Sequence, residues 1–164
     1  MMKKVVMMLF LSMAVAANAG LYITVDGVID PADSTITIVP STWIVVGVWD
    51  DGQTQSGTLA LGLTNGPGSL DASRVVVSDG VNAMMADNAV RAKNMGVQNP
   101  FISMEIEGFP GGILISEVDF HCDGPGDVTI AIVDENGVVQ DTQVIHQIPE
   151  PMTIVLLGVG SLLL

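Results

Sequence analysis

Cysteine occurs once in the chain, at Cys122. No internal disulfide is available, so any domain must be held by its apolar core alone. Basic residues are nearly as scarce: five Lys and Arg stand against 18 Asp and Glu, a formal net charge of −13. So acidic a chain repels phosphate backbones and anionic lipid at long range, which argues against nucleic acid as a partner. Histidine is limited to His121 and His146, and the aromatics to two Trp, one Tyr and four Phe. No Cys-x-x-Cys pair, glycine-rich phosphate loop or serine elbow is present, so the expectation is a non-catalytic protein.

What is present begins with an export signal. Lys3 and Lys4 precede the apolar run 5–15, and Ala17-Asn18-Ala19 follows with small residues at the two positions that a signal peptidase reads. The run is too short to span a bilayer. The pattern predicts a cleaved signal peptide over 1–19, with the mature chain starting at Gly20. Cleavage removes both lysines and leaves three basic residues against all 18 acids, a net of −15.

Residues 20–148 read as one passenger domain built on the two-residue period of strands. Leu21, Ile23 and Val25 alternate inward, as do Ile36 and Ile38. Trp43-Ile44-Val45-Val46-Gly47-Val48-Trp49 is apolar on both faces, which fits a central strand. Leu59, Leu61 and Leu63 share a face, followed by the loop Asn65-Gly66-Pro67-Gly68. Further along, Ile102, Met104 and Ile106 alternate with Ser103, Glu105 and Glu107. On 113–122, Val118, Phe120 and Cys122 face in and Glu117, Asp119 and His121 face out. Val128, Ile130 and Ile132 form the next inward row, and Asn136-Gly137 signals a tight hairpin before the last strand. In 82–95 the period changes: Val81, Met84, Met85 and Ala92 fall near one helical stripe, with Asn82 as cap and Gly96 as stop. The fold class expected is an all-β antiparallel sandwich of about nine strands with one short helix.

Candidate chemistry is sparse. His121, beside Glu117 and Asp119, makes a two-histidine, one-carboxylate metal site with His146 if their strands pair; two partly exposed surface histidines are the plainer reading. Cys122 and His121 are strand neighbours and diverge, so they are not a nucleophile and its base. Cys122 is a buried core thiol or an intermolecular bridge. The acidic turns Asp50-Asp51, Asp123…Asp127 and Asp134-Glu135-Asn136 offer oxygen ligands for calcium. None has the spaced loop with a distal bidentate Glu, and turns favour Asp and Asn for backbone reasons, so no resident cofactor is expected. Trp43, Trp49 and Tyr22 offer an aromatic platform for sugars, although tryptophan in a central strand is more often core. Exposure of Trp43 or Trp49 favours a binding module, and burial of both favours a structural protein.

The chain closes on Pro149-Glu150-Pro151 and an uncharged tail from Met152 to Leu164. Two prolines without N–H donors keep this tripeptide out of sheet and helix, so it is a stiff, accessible step beside an apolar segment. Residues 148–157 closely resemble the PEP-CTERM sorting signal of Gram-negative surface proteins. The resemblance implies processing at Pro149, Glu150 and Pro151 by an exosortase, a membrane-embedded protease-transpeptidase, after transient anchoring in the membrane. It further implies a final place at the cell surface or in the extracellular polysaccharide matrix. Family signals end in a basic cluster, whereas here no basic residue follows Lys93. Thirteen helical residues rise only about 20 Å against a hydrocarbon core of about 30 Å. The expectation is a chain that continues past Leu164, or a degenerate signal. Within the passenger, the strand 113–122, the loop Asp123-Gly124-Pro125-Gly126 and the strand 128–133 resemble the late strands of cohesin-like modules. This implies a carbohydrate- or protein-binding module as the alternative function.

Overall fold

The computed structural model describes residues 20–29, 35–39, 42–54 and 56–148. The leader with Ala17 and Ala19, residues 30–34, and the tail with Pro149, Glu150 and Pro151 lie outside the described residues. Twelve strands and one helix follow in order: β1 (Leu21–Val25), β2 (Val28–Ile29), β3 (Ile36–Ile38), β4 (Trp43–Asp50), β5 (Ser56–Asn65), β6 (Gly68–Asp71), β7 (Val76–Val77), β8 (Val81–Ala86), α1 (Ala89–Met95), β9 (Phe101–Glu107), β10 (Gly112–Cys122), β11 (Gly126–Asp134) and β12 (Val139–Gln147). The count exceeds about nine because β2 and β6 are short pairings beside turns and β8 takes the first part of the stretch expected to be helical.

The strands form two sheets. The first runs β2-β1-β4-β10-β6, with β7 also paired to β10; the second runs β3-β12-β11-β5-β9-β8. The described pairings are antiparallel except β3 with β12, which is parallel. The inward rows expected from alternation meet between the sheets: Leu21 and Ile23 of β1 share one buried cluster with Ile130 of β11 and Ile145 of β12. This is the all-β sandwich that the two-residue period implies. Burial of each such side chain stabilises the fold by roughly 1.5–3 kcal/mol, and with no disulfide this core is what holds the domain.

The helix begins later than its apolar stripe suggests. Residues 81–86 form the edge strand β8, paired residue for residue with β9 from Val81↔Ile106 to Ala86↔Phe101. The cap is Asn88, not Asn82: its Oδ1 accepts the Arg91 N–H at 2.9 Å. Gly96 stops the helix in the left-handed region, φ 73°, as expected. Ala and Met carry no strong β preference, but a sheet edge with an open ladder overrides local propensity. The helix packs on the outer face of the second sheet, where Ala92, Met95, Val97 and Phe101 cover Ala60, Ala131 and Val133. Gly62 permits this approach, since a Cβ there would lie 2.9 Å from Val97 Cβ. No helix among the described residues is long and apolar enough to cross a membrane.

Cys122 faces the core and is 1% exposed. Its thiol donates to Gln147 Oε1 at 2.6 Å, and Gln147 Nε2 donates to the Pro67 carbonyl at 3.0 Å. A buried amide thus ties β10, β12 and the 66–67 turn together. Labelling of the native protein with a bulky aromatic disulfide is therefore expected to proceed only at the rate of unfolding. A fast, stoichiometric reaction before denaturant is added would show the thiol to be open.

Candidate binding face

The helix covers part of the second sheet, and among the described residues no helix lies on the outer face of the first sheet. Alternation sets what lies there. In β1, Tyr22 and Thr24 alternate with buried Leu21, Ile23 and Val25; in β4, Trp43, Val45 and Trp49 alternate with buried Ile44, Val46 and Val48. Asp119 and His121 face out from β10 between buried Val118, Phe120 and Cys122.

Strand register groups these side chains into two aromatic stations. Tyr22 and Ile113 both pair with Trp49, and the Tyr22 and Trp49 rings lie 5.7 Å apart between centroids. At the other end Trp43 pairs with His121, their ring centroids 4.4 Å apart at 43°. Six residues of extended chain separate the tryptophans, about 20 Å. Trp43 is 57% exposed and Ile113 55%; Trp49 and Tyr22 are half-buried. The expectation that tryptophan in a central strand is core thus fails for Trp43. Its strand is central, but its side chain takes the face that no described element covers.

Between the stations β10 bulges. Its register against β4 shifts between Ile113 and Ile115 and again between Ile115 and Val118. The extra residues bury Leu114 and Ile115 in succession and leave Glu117 with a left-handed backbone, φ 58°. Such a conformation is uncommon for a residue other than glycine, and bulges often re-aim side chains beside functional sites. Gly47 lies beneath: a Cβ there would fall 2.7 Å from Thr24 Oγ1 and 2.8 Å from the Ile115 carbonyl. The result is a groove of about 560 Å³ with Val45, Gly47, Trp49 and Ile113 along it and Asp26 and Glu117 in its lining. A hollow of about 680 Å³ at the β8–β9 edge is larger, lined by Val81 and Ile106 together with glycines, Thr58, Asn82 and the exposed Glu105 and Glu107, but it holds no aromatic.

Charge on the face is organised by one ion pair. Arg74 Nε donates to Asp119 Oδ2 at 2.8 Å and its Nη2 reaches Oδ1. The hydrogen bond from Arg74 holds the Asp119 carboxyl below its ordinary range, against the opposing effect of desolvation. The same bond pushes the Arg74 guanidinium further up. Arg74 is 60% exposed, so the pair adds little to stability and mainly fixes the orientation of Asp119.

The two histidines are not brought together. His121 lies on the first sheet with Nδ1 2.6 Å from Asp123 Oδ1, and His146 lies on the second beside Asp127. Strands of different sheets cannot pair, so the two-histidine site does not form. Among the described residues no three His, Cys, Asp or Glu side chains gather to hold a metal. The turn acids serve the backbone: Asp134 Oδ1 accepts the N–H groups of Asn136 and Val138, and Asp51 Oδ1 accepts that of Gln53. Gly47, a glycine inside an apolar strand, is the sequence signal for the close approach under the groove. Nothing in the order Ile115-Ser116-Glu117-Val118 marks the bulge.

No family model matches the chain. No curated protein matches it in sequence. Among solved structures, it is similar to a chain named BspA_C_mut, with 10% identity and a TM-score of 0.49, over 79% of this chain and 52% of that one, so it spans about half of that protein's length. It is also similar to the sixth cohesin of scaffoldin B from Acetivibrio cellulolyticus, solved in complex with a Cel5 dockerin, at 13% identity and a TM-score of 0.43, over 79% of this chain and 99% of that one. A non-cellulosomal cohesin from Archaeoglobus fulgidus gives 13% identity and a TM-score of 0.43, over 82% and 95%.

Proposed function

We propose that this is an exported, non-catalytic surface protein whose passenger binds an extracellular polysaccharide through the outer face of its first sheet. In this reading signal peptidase releases the chain before Gly20. Pro149, Glu150 and Pro151 then direct processing by an exosortase-type enzyme, leaving the passenger at the cell surface or in the matrix. The observation that supports a binding module over a purely structural protein is Trp43, more than half exposed with its ring beside that of His121. An exposed aromatic with flanking polar groups is suited to lie against an apolar ring face while its neighbours hydrogen-bond. The acidity of the chain favours a neutral glycan over an anionic one. The acidic and apolar groove beside Trp49 favours a second reading, in which a protein partner presents a basic side chain there.

Native gels cast with neutral glucans and galactomannans test this. The processed protein is expected to be retarded, and Trp43→Ala to lose roughly tenfold in affinity, equal to about 1.4 kcal/mol, with unchanged thermal unfolding. Equal retardation of Trp43→Ala and parent would remove this face from glycan binding. Retention of neither would favour the protein partner.

A further inference from the structure

The end of the sandwich where β1 begins holds a carboxylate aimed at a residue that has no side chain to meet it. Gly20 is buried. Its carbonyl accepts the Asp51 N–H at 2.8 Å, which extends the β1–β4 ladder beyond Leu21↔Asp50. The Asp51 side chain folds back over it: a Cβ on Gly20 would lie 2.0 Å from Asp51 Oδ2 and 2.2 Å from Cγ. With standard bond lengths, Oδ2 is therefore within about 3.5 Å of Gly20 Cα and no more than about 4.5 Å from its nitrogen. The place admits glycine and offers its nitrogen a negative charge.

We propose that Asp51 is the binding site for the α-ammonium of the mature chain, so that cleavage before Gly20 completes an ion pair that the precursor lacks. In the precursor the Gly20 nitrogen is a neutral amide. Once freed it is a primary amine with an ordinary pKa of about 7.7–8.0, charged at neutral pH and facing a carboxylate already fixed by its bond to Gln53 N–H. The other titratable groups at this end, among the described residues, are also acidic. Asp50 is buried behind, within reach of Thr54 N–H. Asp141 accepts the Ile23 N–H at 2.6 Å. Asp134 and Glu135 face Leu21 and Thr54 across a shallow hollow. None of these competes for Asp51, and all favour a cation at Gly20. The inference rests on the export reading for its biological meaning, but the site is testable without it.

The sign of the pH dependence follows. The folded state raises the pKa of the amine, so the stabilisation is fully present below pH 7.7 and is lost as pH rises through the folded value. Four semisynthetic chains running from Gly20 to Leu164 make the comparison: free amine and N-acetylated, each with Asp51 and with Asp51→Asn, which keeps the acceptor for Gln53. At pH 6.5 the free-amine chain is expected to melt a few degrees above the acetylated one. The gap should close above about pH 10 and be absent in the Asp51→Asn background, and nitrogen-15 NMR of Gly20 should show the amine titrating above 8. Equal melting at pH 6.5, a gap that survives Asp51→Asn, or an unshifted amine would overturn the proposal. N-terminal sequencing of the protein from its host tests the cleavage position separately: a start other than Gly20 removes the export assignment while leaving the result on the site intact.

Discussion

Truncation of Phe120 to alanine is expected to cost about 3–5 kcal/mol, the largest effect of any single substitution considered. The ring is fully buried from β10, between Ile44 of β4 and Leu70 of β6, its pairing partners on either side. Gly68 is part of the same packing: a Cβ there would sit 2.6 Å from Phe120 Cε2, so the ring fills the space that the glycine leaves. The turn at 66–67 cannot close inward over the cavity without breaking the Gln147 bond to Pro67. A domain of this size has about 5–15 kcal/mol of stability, and the single thiol offers no crosslink to offset the loss. Urea unfolding should show a large fall in midpoint with an unchanged slope. By contrast Val76→Ala, on an exposed face, should stay within about 0.5 kcal/mol. A Phe120→Ala loss below about 1 kcal/mol would mean that β10 is not the centre of the core.

Replacement of Pro149-Glu150-Pro151 by three alanines is expected to divide export from folding. The last buried residues among those described are Ile145 and Gln147, and Ile148 N–H donates to the Ile38 carbonyl at 3.0 Å. Unfolding of the passenger should therefore move by no more than about 0.5 kcal/mol. In a host with the processing enzyme, and with the apolar tail followed by a basic cluster, the same change should leave the precursor uncut in the membrane fraction. Processing and release at the parent's rate would reject the sorting assignment.

How much of this was legible beforehand follows from where the information sits in the chain. Alternation alone placed Leu59, Leu61 and Leu63, Ile102, Met104 and Ile106, and Val118, Phe120 and Cys122 on buried faces, because side-chain direction in a strand is a local property with a period of two. It likewise read Gly96 as a helix stop, since only the residue's own backbone freedom is involved. Which of two outward faces would be covered is not local. Ala60 and Trp43 both point away from the core, yet α1 buries the first and the second stays more than half exposed. The 82–86 segment became a strand because β9 had an open edge. The two histidines were separated because their strands joined different sheets. The groove exists because β10 bulges over Gly47. Composition and period determined the fold class and the inward rows; pairing partners and layer order, set by contacts distant in sequence, decided the binding face.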